Sequence, residues 1–468
     1  MDTEEFRAHA HRVADWMADY LRDVHQFPVL PDVRPGDLRN ALPATAPESG
    51  EPFERILADF ERLVVPGMTH WNHPGFFAYF PANNSPPSIL AEMLTAAMGA
   101  QCMSWLTSPA ATELEQVTMR WVARMLALPD GFTGVIQDTG STSTLVALIS
   151  ARDRAAGSAG SANQLRVYAS SEAHSSVAKG TRLAGYGTAG LRSIATDTEL
   201  AMRPDMLATA IAEDRAAGAI PACVVATVGT TSSTAIDPLP AIGEICRKER
   251  VWLHVDAAWA GSAAILPEIR PILNGIEHAD SFFFNPHKWL FVNFDCSAYY
   301  VRDVDALFRS FALTPEYLRT ARDAEVENFR DWGIQLGRRF RALKLWFVLR
   351  SYGVQGLQAM LRDHIALGHE FARWVAGEPE WEVLAPSPVG LVCFRHRPPD
   401  MADDEATLAA HNQALLERVN RSGRVFLTHT TLDGRYAIRL AIGQRCTRRE
   451  HVEQAWSLLQ EAATAARK

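Results

Sequence analysis

The sequence predicts an α/β protein: a mainly parallel central sheet, with a helical N-terminal segment before it and a smaller C-terminal α+β domain after it. Three observations carry this expectation. Apolar runs at 166–170, 222–229 and 281–284 read as buried strands and are separated by helical stretches such as 204–217, the pattern of a parallel sheet covered on both faces. Near the start, Phe6, Val13, Trp16, Met17 and Tyr20 recur at helical spacing behind a DTEE start signal. Near the end, strand-like runs at 390–394 and 436–442 accompany helical patterns at 403–419 and 449–463, a mixture that implies α+β layering.

Taken in order, the N-terminal apolar stripe needs a cover, supplied either by the body of the same subunit or by a second one. A Pro-rich connection at 28–50 leads to a short helix at 52–63. Residues 70–82, HWNHPGFFAYFPA, are dense in aromatics and prolines without a clean period and read as a rigid loop. The pattern is helical from Pro86 through Pro109 to Leu126. Gly134, Val135 and Ile136 then enter QDTGSTSTLVALISARD, where small and hydroxyl-bearing residues precede an apolar helical face. Such a helix N-terminus presents backbone donors and is a good phosphate seat, although a Ser/Thr-rich cap without a ligand reads the same way. The Gly/Ser/Ala stretch near Gly157 is a short loop. Residues 311–332 form a charged, irregular connection, and helical patterns follow at 334–349 and 356–374. These elements divide the chain into a segment at 1–85, a large domain at 86–360 and a small domain at 361–468.

At 468 residues and 51.7 kDa the chain is long enough for more than one domain. A formal charge of -8 and a pI near 6.0 give no general attraction to nucleic acid or to an anionic membrane. The apolar runs are too short to span a bilayer, and no basic-then-apolar leader opens the chain. Six widely spaced cysteines form no CxxC or Cys/His metal spacing, so a reduced cytoplasmic protein without a metal is expected. His70 and His73 are only a short pair in the aromatic loop, HExxH is absent, and so are the GxGxxG and GxxxxGK[ST] phosphate loops.

The chemistry concentrates in SFFFNPHKWLFVNFD, residues 281–295. A strand-like run delivers Asn285, Pro286, His287 and Lys288 into a turn, and apolar residues resume at once. A lysine between buried segments must be paired, open to a cleft or chemically altered. Upstream, WLHVDAAWAG places Asp256 after another buried strand, where a carboxylate also needs a specific partner. The two fit the ends of one cofactor: an amine to bond an aldehyde and a carboxylate to hold a ring nitrogen protonated.

With HWNHPGFFAYFP, SPAATELE, HVDAAWAG, NPHKWLFVNFDCSAYYV and LGRRFRALKLWFVLR in this order, the chain resembles the pyridoxal-phosphate-dependent group II amino-acid decarboxylases, most closely the aromatic-L-amino-acid decarboxylases. The resemblance runs over essentially the whole length and implies the fold type I, transferase-like architecture of pyridoxal 5'-phosphate enzymes. It also implies a homodimer in which the N-terminal helix docks on the second subunit. By resemblance Lys288 bonds the cofactor, Asp256 pairs with the ring nitrogen, and His174 stacks over the ring and orients the carboxylate to be lost. Thr139, Gly140 and Ser141 seat the phosphate, while Thr231, Ala258, Asn285 and His287 complete the cofactor contacts, with His287 also close to the reaction. Tyr317, in the 311–332 connection, becomes the general acid that protonates Cα. Trp71, Tyr79, Phe80, Pro81, Met103 and Gly390 fall where the family lines its substrate pocket, whose flat apolar walls suit an aromatic L-amino acid.

These residues imply decarboxylation to an aromatic amine and carbon dioxide. Tryptophan is favoured because Gly390 resembles the small residue of relatives that accept bulky rings, although its size could equally relieve close packing; phenylalanine, tyrosine and DOPA remain open. Ala82 and Met103 stand where relatives often carry a hydroxyl-bearing and an aromatic residue. The nearest alternative is an oxygen-dependent aromatic aldehyde synthase, whose members often depart at the histidine or tyrosine that this chain retains. A catalytically silent oligomeric binding protein is the other alternative.

Overall fold

The computed structural model describes residues 1–157, 162–313, 322–323, 325–401 and 404–465. They form two compact units: Ala82–Trp374 with Val383–Cys393, and Met1–Pro81 with Val375–Glu382 and Phe394–Lys468. Compactness thus groups the N-terminal residues with the C-terminal ones, a division that does not follow sequence order.

The larger unit is built on seven strands: β1 (Thr133–Gln137), β2 (Leu165–Ser170), β3 (Leu191–Ile194), β4 (Ile220–Thr227), β5 (Trp252–Asp256), β6 (Ser281–Phe284) and β7 (Ser297–Val301). Their spatial order is β1-β7-β6-β5-β4-β2-β3. Strands β2 to β6 pair in parallel, whereas β7 runs against both β6 and β1. Strands β1, β2, β4, β5 and β6 therefore all end at the same edge of the sheet. The apolar runs are continuous because helices cover the sheet. Val146, Leu148 and Ala151 of the Gly140–Ala156 helix, for example, share a buried core with Val167, Val225 and Tyr299.

Three expected helices change shape. The stretch from Pro86 is two helices, Pro86–Met98 and Pro109–Met125, the first closed by Gly99 at φ 57. The pattern expected at 334–349 becomes helix only at Arg341, because Arg338 is drawn into a buried ion pair with Glu115 at 2.7 Å and donates to the Ile136 carbonyl at 2.8 Å. That helix continues to Gly377 with a break at Gly353, which lies between the two expected patterns.

The second sheet holds β8 (Trp381–Val383), β9 (Leu391–His396), β10 (Thr428–Leu432) and β11 (Arg435–Ala441) in the order β10-β11-β9-β8. In the smaller unit the aromatic loop joins the C-terminal residues. Phe77 donates its N–H to the Phe426 carbonyl at 2.9 Å and accepts from Ala441 at 2.9 Å, and Val29, Phe76 and Ala78 pack with Phe426. The N-terminal helix, Thr3–Asp23, opens with the expected capping box between Asp2 and Glu5. Part of its stripe is covered within the unit, Trp16 by Phe60 at 5.1 Å and Tyr20 by a 2.8 Å hydrogen bond to His70, while Phe6 stays 59% exposed.

Candidate active site

The chain segments that leave the common sheet edge carry the candidate residues. Thr139, Gly140 and Ser141 follow β1, His174 follows β2, Thr231 follows β4, Asp256 ends β5 with Ala258 two residues on, and Asn285, His287 and Lys288 follow β6. Carboxyl ends of strands in an open α/β sheet are where ligands bind.

Thr139 caps the Gly140–Ala156 helix, its hydroxyl accepting from Thr142 N–H at 3.4 Å, so the first amides of a 17-residue helix face the sheet edge. Gly140 leaves a cradle that a Cβ would fill, at 2.7 Å from Phe283 Cε2 and 3.1 Å from Asn285 Nδ2. Gly140→Ala should therefore weaken cofactor affinity about tenfold by displacing the Phe283 ring and crowding Asn285; titrating cofactor into apoprotein checks this, and unchanged affinity would remove Gly140 from the seat.

Asp256 is buried and accepts from Ala258 N–H at 3.0 Å, and Ala258 in turn accepts from Asn285 N–H at 3.1 Å, tying the ends of β5 and β6 together. His174, Asp256 and Lys288 lie close enough to act on one another's charge. Burial raises the Asp256 carboxyl and lowers the Lys288 amine, and the attraction between the two opposes both shifts. Partial desolvation lowers His174, with Asp256 opposing and Lys288 adding to the effect. His174 Nδ1 accepts from Ser176 N–H at 3.2 Å, so the neutral ring carries its proton on Nε2. His287 Nδ1 likewise accepts from Cys296 N–H at 2.9 Å, and burial, then Lys288, push its pKa down to about 3, keeping this ring neutral.

Flanking residues hold this constellation. Trp259 stacks on Trp289 at 4.3 Å and 10°, and Trp289 Nε1 donates to His364 at 3.0 Å. Asn83, which the sequence reading passes over, donates to the backbone of the Lys288 turn.

Tyr317 lies outside the described residues. Met103 is in the larger unit, its carbonyl accepting from Arg330 N–H at 2.9 Å. Gly390 has a backbone reason to be glycine: its φ is 72, and a Cβ on Gly368 would stand 2.9 Å from its Cα. Trp71, Tyr79, Phe80 and Pro81 belong to the smaller unit. There Trp71 and Tyr79 stack at 5.9 Å and 18° and are 38% and 50% exposed, and Arg439 sits 5.5 Å above the Phe80 ring.

The family model described as "Pyridoxal-dependent decarboxylase conserved domain" matches residues 35–397. The chain belongs to the pyridoxal-dependent decarboxylase family. It is 46% identical to an aromatic-L-amino-acid decarboxylase of Sus scrofa, with 97% of this chain and 96% of the relative covered. It is 45% identical to a phenylacetaldehyde synthase of Arabidopsis thaliana, over 99% of this chain and 97% of the relative. The crystal structure of Oryza sativa TDC with PLP and tryptamine superposes with a TM-score of 0.97 at 40% identity, covering 99% of each chain. The fold is that of the pyridoxal-phosphate decarboxylases, the chain is a carboxy-lyase of the aromatic amino-acid group, and its cofactor is pyridoxal phosphate.

The residues at the sheet edge fit that group. Besides the amine, the carboxylate and the helix N-terminus, three buried polar atoms there, Ser170 Oγ, Thr227 Oγ1 and Asn285 Oδ1, have no hydrogen-bond partner among the described residues, capacity that a polar ligand takes up. Bound there, pyridoxal phosphate supplies an aldehyde for the substrate amine and an electron-poor ring that accepts the electrons freed when a bond at Cα breaks.

Proposed function

We propose that this decarboxylase converts an aromatic L-amino acid, tryptophan first and phenylalanine, tyrosine or DOPA after it, to the amine and carbon dioxide. The observation that carries the reading is the convergence of Lys288, Asp256 and His174, from the ends of β6, β5 and β2, on one sheet edge. Lys288 would hold the cofactor through its amine, leaving the cofactor's aldehyde carbon open to a substrate amine. Asp256 keeps the ring nitrogen protonated, while Thr139, Gly140 and Ser141 seat the phosphate with Thr231, Ala258, Asn285 and His287 around it. His174, with Nε2–H available, would donate to the substrate carboxylate and hold it in the orientation that favours its loss over other reactions at Cα. Tyr317 donates the proton that Cα then takes up. Tryptophan is ranked first because the Oryza sativa neighbour holds tryptamine and because Gly390 resembles the small residue of relatives that accept bulky rings. Met103 and Gly390 remain candidate specificity positions.

A product assay tests this. Purified holoenzyme is given single aromatic amino acids in air and without oxygen, and amine, aldehyde, carbon dioxide and peroxide are quantified. Equal amounts of amine and carbon dioxide, insensitive to oxygen, are expected, with tryptophan fastest. Oxygen-dependent aldehyde and peroxide would instead favour the synthase reading, which the Arabidopsis relative keeps in view.

We further infer a homodimer. In the Pro86–Met98 helix, Leu90, Met93, Leu94 and Met98 fall at i, i+3, i+4 and i+8 and are 55%, 38%, 49% and 56% exposed, an apolar stripe that calls for a cover. Sedimentation should find a dimer, and Leu94→Glu should weaken it at least about tenfold. A wild-type monomer at micromolar concentration would defeat the inference. No helix among the described residues is long and apolar enough to cross a membrane, and the free cysteines fit a reducing cytoplasm.

A further inference from the structure

Lys288 sits on a helix of a single turn, Pro286–Trp289. So short a helix cannot satisfy its own carbonyls, and unmet backbone acceptors in a buried place are costly. The Pro286 carbonyl accepts from Leu290 at 3.2 Å and Val292 at 3.4 Å. The next two carbonyls are met by a single residue more than 200 positions earlier in the chain: Asn83 donates its backbone N–H to His287 O at 2.9 Å and its side-chain Nδ2 to Lys288 O at 2.6 Å. Asn83 is itself 3% exposed, so its amide works away from competing water. A carbonyl only accepts, which fixes the amide with its nitrogen toward Lys288.

We propose that Asn83 is a positioning residue for the cofactor lysine, capping both carbonyls of the Lys288 turn and thereby fixing where its amine points. This rests on the reading of Lys288 as the residue that bonds the cofactor. Residue 83 touches neither the amine nor the reacting atoms through these bonds. It acts through the peptide, by denying the turn the rotations that would swing the lysine stem away from Asp256. The neighbouring Ser85 supplies a natural control. Its hydroxyl donates to the Phe291 carbonyl at 2.7 Å, anchoring the same segment to the same chain but three residues beyond the lysine, and it also heads the Pro86–Met98 helix.

The experiment compares wild type, Asn83→Ala and Ser85→Ala as holoenzymes. Three quantities are read: the rate at which cofactor is released into a carbonyl-trapping reagent, the pH midpoint of the cofactor absorption band, and the melting temperature. Asn83→Ala is expected to release cofactor at least about fivefold faster, the worth of one buried hydrogen bond, and to shift the band midpoint. Ser85→Ala should lower the melting temperature comparably while leaving release and midpoint as in wild type. Equal behaviour of the two variants, or wild-type release from Asn83→Ala, would overturn the proposal. If Asn83→Ala does not fold, Asn83→Ser, whose hydroxyl is too short to reach the Lys288 carbonyl, takes its place with the same expected and overturning results. Borohydride reduction of the wild type with peptide mapping keeps the two levels apart: cofactor mass on a peptide without Lys288 brings down the lysine assignment itself, whereas mass on Lys288 with unaltered variants brings down Asn83 alone.

Discussion

Lys288→Ala is expected to lower decarboxylation by at least about 1000-fold, a loss of about 4 kcal/mol of transition-state stabilisation. The amine at this position is held partly out of water and is easier to deprotonate than an exposed lysine, with Asp256 limiting the shift. Such an amine bonds a carbonyl readily and gives it up to another amine, and no neighbouring group can substitute for it. The rings of His174 and His287 are weak nucleophiles toward aldehydes and have their Nδ1 atoms committed to backbone N–H groups. The fold should survive the change. Removing a cation that burial disfavours offsets the loss of its attraction to Asp256, whose carboxyl then takes up a proton more readily. Steady-state turnover, the cofactor absorption band and the melting temperature measured together decide the matter. Lost turnover and a changed band are expected, with the cofactor-free variant melting at the same temperature as cofactor-free wild type, and an alanine variant within tenfold of wild type would remove Lys288 from the chemistry.

Tyr317→Phe is expected to change the product rather than merely the rate. The substitution keeps the ring and deletes one hydroxyl, the proposed proton source for Cα. With protonation slowed, molecular oxygen competes for the same electrons. The amino acid, oxygen and water then yield aldehyde, carbon dioxide, ammonia and hydrogen peroxide, so that two electrons pass from Cα to oxygen. In air, amine formation should fall at least about tenfold, with aldehyde and peroxide appearing in equal amounts; under argon both should vanish. Amine as the main product of the phenylalanine variant would transfer the proton-donor role elsewhere, with His174 the next group to test.

Much of the larger unit could be read from the chain because physics leaves buried charges few explanations. Asp256 ends, and Lys288 follows, a strand buried along its whole length, and such positions tolerate an ionisable group only for a purpose. The start of the Gly140–Ala156 helix stands out for a related reason, since its run of small and hydroxyl-bearing residues puts polar groups where an apolar helical face begins. Other features depend on partners far away in sequence. Residues 334–340 have helical periodicity, yet the buried pairing of Arg338 with Glu115 overrides it. β3, LRSI, has only one buried residue, Ile194, so no apolar run announces it. Asn83 looks like a turn residue between two prolines, Pro81 and Pro86, and its carbonyl partners are brought to it only by the finished fold. Gly390 illustrates the opposite hazard: its positive φ and the nearness of Gly368 give a packing account for a glycine that resemblance assigns to substrate size.

The convergence of five strand ends on one edge also has a kinetic meaning. Residues 139, 174, 231, 256 and 288 meet only after long loops have closed and the non-local strand pairs have formed, the slowest class of contact to make. With the cofactor seat proposed at these residues, a partly assembled chain offers no competent seat, and pyridoxal phosphate would select the completed sheet from the ensemble. Its binding energy adds to native stability in proportion to the logarithm of its concentration. Destabilising substitutions remote from the seat should accordingly regain yield when expression is supplemented with the cofactor's vitamin precursor, so that nutrition, as well as sequence, sets how much of this protein a cell can keep folded.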